Sequence, residues 1–393
     1  MKKSKAKQLL SLLMAAMMVL SMMPMSLGAV FALETPQSVT DGYFTFNVYS
    51  DSGYATLTEC DPAATGEVVI PSSADGYPVT VIEEYSFSSC DKVTSVTIPS
   101  SVTEIQKSVF PSCSSLKEFK LSGESASFYV TDGVLFEKGT DTLALYPTGK
   151  EDKAYSVPSG IKTIGLGAFA YAVHIESVTF PDTLETVKDS AFVMAAKLKT
   201  VNFGNKLKEI GGGAFCYTAI ENLAFPDSLE TIGDEAFCVT FDLKSVTFGK
   251  NIKTIGQNAF YMSNLESVVI PGTIKEIPPV SFEFTPKLTK VTIENGVETI
   301  GEGAFAFSGI DSIVIPESVK TIGEGAFDYS ANLKAITLAE GNKNFTVTDG
   351  VLYNKDVTEI ISYPQGSEMT VYKIPDTVTY VKHIAATTLR RSS

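Results

Sequence analysis

A phenylalanine recurs every 22 or 23 residues, from Phe169 through Phe192, Phe215, Phe237, Phe260, Phe282, Phe305 and Phe327, with an earlier pair at Phe87 and Phe110. A period of this length specifies a solenoid, in which similar coils stack and each touches only its neighbours.

An apolar frame travels with the ring. Eight residues earlier stands an aliphatic residue (for example Ile161, Leu184, Leu229, Ile252, Val319), and five earlier an Ile or Val. Gly lies four before the ring in six coils and Ala directly before it in seven, so the unit reads L-x-x-I-G-x-x-A-F. Small residues there permit a tight turn and close approach of neighbouring coils. After the ring come a polar turn and a second apolar set, such as Leu243, Val246 and Phe248, whose last two members alternate as in a strand. The difference between 22 and 23 falls in the turn between the ring and that set: six positions separate Phe237 from Leu243, but five separate Phe260 from Leu265. Length is expected to vary in the turn while the core register is kept. Prolines such as Pro181, Pro226, Pro271 and Pro316 end the strand, where a missing N–H does least harm. The few apolar side chains of one coil cannot offset the conformational entropy of ordering it, so stability must come from the array and both ends need caps.

The phrase I-P-x-x-L-x-x-I-G-x-x-A-F, at Phe225–Phe237 and Ile315–Phe327, resembles the 23-residue class of bacterial leucine-rich repeats found in BspA-like surface proteins. The resemblance covers about residues 43 to 385. Tyr43–Cys90, with V-V-I-P-S, D-G-Y-P-V-T and S-F-S-S-C, resembles that family's N-terminal cap and first coil. It implies a leucine-rich repeat solenoid, a curved right-handed coil stack that is mostly β with short strands, turns and little helix. Family members are secreted or surface-held and several are adhesins, so a binding role is implied without a named ligand.

The ends set the compartment. Lys2, Lys3, Lys5 and Lys7 precede an apolar run from Leu9 to Met23 and then Val30-Phe31-Ala32, the pattern of a secretory signal peptide over 1–32. The next cysteine is Cys60, which argues against a lipoprotein anchor, and no later apolar segment is long enough to span a membrane. A cap is expected over 33–67 and the array over 68–393. Removing four lysines and no acids takes the formal charge from −14 to −18, which makes nucleic acid a poor partner. At the far end Ala385-Ala386 stands where Ala-Phe is expected, so the array should finish there.

Two insertions, over about 122–156 and 339–373, interrupt the period and copy one another: Phe128–Gly149 matches Phe345–Gly366 at an offset of 217. Asp132-Gly133 and Asp349-Gly350 read as turns between strands. Each insertion is expected to be a variant coil that continues the stack, in preference to a hairpin protruding toward a partner; the family carries the same V-x-D-G-V-L-[FY]-x-K phrase.

No catalytic, metal or cofactor motif is present. The two histidines, His174 and His383, lie in different parts of the array, and H-E-x-x-H, G-x-S-x-G, a phosphate-binding glycine loop and C-x-x-C are all missing. Acids such as Asp234 and Glu235 fall in turns and are expected to be solvated. Cys90 and Cys113 share the slot three after the ring, and Cys216 and Cys238 the slot directly after it. Stacking places like positions about 5 Å apart, within disulfide reach. Cys90 and Cys113 are expected to remain buried thiols, while for Cys216 and Cys238 both states stay open.

The strand face carries the candidate binding residues. Glu176, Lys199, Glu221, Lys244, Glu266, Thr289, Asp311 and Lys334 follow the first apolar residue of successive strands and mostly alternate in sign, so they are expected to pair between rungs. The next position is small and polar: Ser95, Ser177, Thr200, Asn222, Ser245, Ser267 and Ser312. Such a shallow, concave polar surface suits extracellular proteins or glycans of a host or neighbouring cell better than enclosed chemistry. Lys199, Glu221, Lys244, Ser245, Glu266, Ser267, Ser312 and Lys334 form the expected face, on a monomer without cofactor; a cell-envelope spacer with no ligand is the rival.

Overall fold

A computed structural model describes residues 35–369 and 372–381, and the compact unit begins at Gln37. The expected signal peptide over 1–32 and the end of the array at Ala385-Ala386 lie outside the described residues. The fold is the solenoid that the period requires, about fourteen turns of strand and turn with no helix among the described residues.

Three antiparallel strands, Gln37–Asp41, Phe44–Tyr49 and Tyr54–Cys60, open the unit. The third pairs in parallel with Tyr77–Ile82, which hands the stack over to parallel pairing. Phe44, Phe46, Val48 and Leu57 are buried under the first coil, so its apolar end does not face water.

Each regular coil then contributes two strands to two separate sheets. A two-residue strand ends at the Ile or Val five before the ring, and Thr163–Ile164, Thr186–Val187, Glu209–Ile210, Thr231–Ile232 and Thr254–Ile255 pair in unbroken parallel succession. The ring follows a turn later. From Tyr146 through Phe169 to Phe327 the rings stack at centroid separations of 4.6 to 6.1 Å and within 20° of parallel. These rings, the aliphatic residues eight before them and the first apolar residues of the second strands form one continuous core.

The second strands, such as Thr200–Asn202 and Ser245–Thr247, alternate exposed, buried, exposed. Their sheet is not continuous. Where the step between strands is 23 residues, they pair over three or four positions, as Asn222–Ala224 does with Ser245–Thr247 and Ser267–Ile270 with Lys290–Ile293. Where a five-position turn shortens the step to 22, pairing fails: Thr200–Asn202 does not pair with Asn222–Ala224, nor Lys290–Ile293 with Ser312–Ile315, and Ser245–Thr247 meets Ser267–Ile270 only at Ser245 and Ser267. The register expected to survive the shorter turn does survive in the ring ladder. In the strand sheet it is lost, because that sheet follows the turn directly and inherits its displacement.

The insertions continue the stack. Phe128–Thr131 pairs antiparallel with Val134–Glu137 and that with Thr142–Leu145, which in turn pairs parallel with Thr163–Ile164. Asp132 and Gly133 have φ of 51° and 72°, and Asp349 and Gly350 51° and 78°, the doubly left-handed turn of a two-residue hairpin. The second copy repeats the first strand for strand, down to a register irregularity at Leu135/Phe136 and Leu352/Tyr353. Phe128, Val134, Leu135 and Phe136 are all buried, so the hairpin packs into the array.

Candidate functional site

The outward residues of the second strands form the surface proposed from the sequence. Lys199, Lys244, Ser245, Glu266, Ser267, Ser312 and Lys334 are exposed and Glu221 is half-buried, so all eight reach the surface. They do so because Val201, Leu223, Val246, Val268 and Ile313 point into the core and the pleat turns their neighbours outward. Ser245 faces Ser267 in register and donates to Asn222 Oδ1 at 2.6 Å. Ser312 opposes Ala335 and donates to Asp311 Oδ1 at 2.9 Å. Ser95 departs from the row: it is buried, sitting between Glu67 and Glu118 in register while Lys120 reaches Glu67 at 3.2 Å and Glu118 at 3.0 Å beside it.

Two positions further along each strand runs a second outward row, Thr179, Asn202, Ala224, Thr247, Val269, Thr292, Val314 and Thr337. Val269 and Val314 are half-exposed apolar groups within it. Where Ser245–Thr247 and Ser267–Ile270 part, a cleft of about 540 Å³ opens, lined among others by Thr247, Phe248, Lys250, Val269, Pro271 and Glu294. The strand face is therefore rougher than the regular sheet expected, with a recess beside two of the candidate serines.

The expected ion-pair ladder on this face is sparse. Glu221 and Lys244 lie 3.8 Å apart and Lys153 and Glu176 3.2 Å, whereas Lys199, Glu266 and Lys334 make no ion pair among the described residues. A stronger ladder runs along the residues that immediately precede the first strands. There Asp141 meets Lys162 at 2.8 Å, Glu185 meets Lys208 at 2.6 Å, Glu230 meets Lys253 at 2.6 Å, and Glu298 sits between Lys275 at 3.6 Å and Lys320 at 2.7 Å. Hydrogen bonds from the lysines, with their charge adding, hold the carboxyls of Glu185, Glu230 and Glu298 below their ordinary value. Its sign pattern is visible in the sequence one residue beyond the conserved-spacing aliphatic position. The first-strand sheet that carries this ladder parts once, between Thr254–Ile255 and Glu276–Ile277; on the second strands Lys199 and Lys334 stay unpaired among the described residues although their strands lie in register with those of Glu176 and Asp311.

Asp234 and Glu235 are exposed in their turn, as expected, and Asp234 adds a contact between coils. Its Oδ1 accepts from Gln257 N at 2.8 Å in the next coil, as Asp189 Oδ1 does from Gly212 N at 2.7 Å. Two turn positions in every regular coil, two before and two after the ring, have positive φ. The second is filled by Tyr171, Met194, Tyr217, Val239, Met262, Phe284, Phe307 and Tyr329, never by glycine, with φ between 54° and 61°. From Tyr171 to Phe307 this backbone aims the N–H at the following coil, for example Phe307 N to Asp328 O at 2.8 Å. The side chains form an apolar ridge along the turns, with Phe284 on Phe307 and Phe307 on Tyr329 stacked at 4.3 Å. Sequence reading passed over this row; its signal was the recurrence of large apolar residues two after the ring.

Cys216 and Cys238 form a disulfide with Cα atoms 4.7 Å apart, while Cys60, Cys90 and Cys113 are buried thiols. The expectation of free thiols at Cys90 and Cys113 thus agrees with the structure, and the open question at Cys216 and Cys238 resolves to a bond. The slot of Cys90 and Cys113 holds Thr218, Thr240 and Thr285 elsewhere, whose hydroxyls return to the carbonyl of their own ring residue at 2.7–2.8 Å. Cys113 Sγ instead reaches Phe87 O at 3.2 Å, and burial pushes its thiol up to about 12. Among the described residues no group of three or more His, Cys, Asp or Glu is placed to hold a metal ion, and no helix is long and apolar enough to cross a membrane.

The pattern of the BspA type leucine rich repeat region matches residues 65–133, 151–265 and 253–373, in six copies. No curated protein matches the chain significantly. Among solved structures, a leucine-rich repeat protein from Bacteroides ovatus is 21% identical, covering 87% of this chain and 98% of its own, at a TM-score of 0.43. A leucine rich cell surface protein from Faecalibacterium prausnitzii is 20% identical, covering 89% and 96% at 0.45, and the pneumococcal vaccine antigen PcpA 20%, covering 91% and 96% at 0.43.

Proposed function

The chain belongs to the BspA-type leucine-rich repeat family, and from that premise we propose that it is an exported, surface-associated binding protein that captures extracellular proteins or glycans on its strand face, adhesin-like and without catalysis. The observation that carries this reading is the pair of outward rows: small hydroxyl side chains at Thr200, Ser245, Ser267 and Ser312, beside Thr247, Val269, Thr292 and Val314, exposed from coil to coil over a sealed core. Such a surface offers hydrogen-bond donors and acceptors with little side-chain entropy to lose, and apolar contact at the two valines. The cleft where the strands part gives it a recess beside Ser245 and Ser267. Export is supported by the signal-like segment 1–32 and by the Cys216–Cys238 bond, which persists in oxidising compartments.

The test is capture from matrix and neighbouring-cell extracts by the protein and by a triple variant, Ser245→Tyr, Ser267→Tyr and Ser312→Tyr, identified by mass spectrometry. The reading requires partners that the protein retains and the variant loses, with the variant's melting curve unchanged. No retained partner at all would favour a spacer. Equal capture by both would remove the strand face from consideration.

A further inference from the structure

The apolar ridge along the turns starts abruptly, and its first member borders a cleft of different chemistry. Two residues after the rings of Phe87 and Phe110 stand Ser89 and Ser112 instead of a large apolar residue. Next comes the variant coil, whose ring is Tyr146; the corresponding residue, Thr148, is buried and donates its hydroxyl to Cys113 O. Gly149 lies so close to the preceding coil that a Cβ on it would be 2.2 Å from Ser114 O. The insertion therefore tucks its turn in. The coils on either side face each other across a cleft of about 490 Å³, with Ser89, Asp91, Ser112 and Ser114 on one wall and Tyr171, Val173 and Met194 on the other.

The polar wall is uncommitted. Among the described residues, the hydroxyls of Ser89, Ser112 and Ser114 and the carboxylate of Asp91 make no hydrogen bond to protein, whereas Asp182, Asp189, Asp227 and Asp234 in other coils each bind a backbone N–H of the next coil. On the opposite wall Tyr171 stacks on no other ring among the described residues, unlike Phe284, Phe307 and Tyr329 further along the ridge.

We infer that this cleft is a saccharide site and takes a neutral pyranose. A pyranose has an apolar C–H face, which suits the electron-rich face of the free Tyr171 ring, and a belt of hydroxyls. A carboxylate accepts from two neighbouring hydroxyls, and serine hydroxyls donate or accept as needed. The volume lies within the roughly 300–1,000 Å³ usual for small-molecule sites. Asp91 and the net charge of −14 select against acidic sugars. This site is on the turn side and stands independently of binding at the strand face.

Saturation-transfer NMR on the protein with the methyl pyranosides of glucose, galactose, mannose and N-acetylglucosamine, and with N-acetylneuraminic acid, tests it. At least one neutral glycoside is expected to receive saturation at its ring C–H protons, and the acidic sugar none. Asp91→Asn and Tyr171→Ala should each weaken that signal tenfold or more, Tyr171→Phe should keep it, and Tyr217→Ala, in the same slot two coils on, should leave it unchanged. Absence of transfer to all four neutral glycosides overturns the site, as does transfer that survives Asp91→Asn. Asp91 is an exposed turn residue, so that arm does not hinge on the folding of the Tyr171→Ala variant. Binding lost equally in Tyr217→Ala would also overturn it, by moving the contact to the ridge.

Discussion

The rings of Phe215 and Phe237 stand 5.2 Å apart and 4° from parallel, although they belong to coils joined by a shortened turn. The ladder thus absorbs the change in coil length with no loss of stacking. Phe237 is fully buried, between Phe215 and Phe260 and against Phe225. Phe237→Ala is expected to destabilise by about 3–5 kcal/mol through the cavity left at two coil interfaces. Equilibrium denaturation is the measurement; an unchanged midpoint would contradict the ladder's role.

The disulfide should matter and the thiols should be silent. Cys216–Cys238 closes a loop with a sequence separation of 22, and restricting the unfolded chain in this way is worth about 3 kcal/mol in the loop-entropy picture. Cys216→Ser with Cys238→Ser should lower stability accordingly. Alkylation of the native protein should leave Cys60, Cys90 and Cys113 unmodified, and denaturation should expose all three; a mapped Cys90–Cys113 cross-link would contradict the structure.

Gly133→Ala should cost more than Gly139→Ala. Both have positive φ, where an L side chain costs roughly 1–2 kcal/mol. At Gly139 an added Cβ meets open space, but at Gly133 it would fall 2.8 Å from Glu118 Cβ. The difference between the two melting temperatures reports the packing of the hairpin onto the preceding coil, and equal values would mean the hairpin stands clear of it.

The first-strand charge ladder should respond to pH and salt. Glu298 has its carboxyl held below its ordinary value by the hydrogen bond to Lys320, with Lys275 adding. A depressed carboxyl pKa stabilises the fold fully above the unfolded value near 4.5 and loses that contribution as pH falls through the lower, folded value. Acidification below pH 4.5 should therefore narrow the gap in melting temperature between the protein and Glu298→Gln. At neutral pH, Lys253→Glu should lower the melting temperature more than Lys244→Glu, since their acids lie 2.6 and 3.8 Å away, and high salt should shrink both effects. Equal, salt-insensitive shifts would refute the ladder.

The sequence by itself determined the repeat, the ring ladder, the inward-facing residues and the duplicate insertions, because these follow from periodicity: a residue that returns every 22 or 23 positions must return to the same place in a stack. The outward placement of Ser245, Ser267 and Ser312 followed in the same way from strand alternation. Tertiary structure decided what depends on distance between coils. A one-residue shortening before Asn222, Ser267 and Ser312 breaks the second sheet and leaves the first largely intact. Charges alternate in both rows, yet Glu230 and Lys253 meet while Lys199 and Lys334 make no ion pair among the described residues, even though their strands pair in register with the preceding ones. It likewise decided that Cys216 and Cys238 bond while Cys90 and Cys113 do not, and that the turn at Thr148 sinks between Ser112 and Tyr171. Pattern reports which side chains share a row; the length of each intervening turn sets whether the second strands that carry them pair.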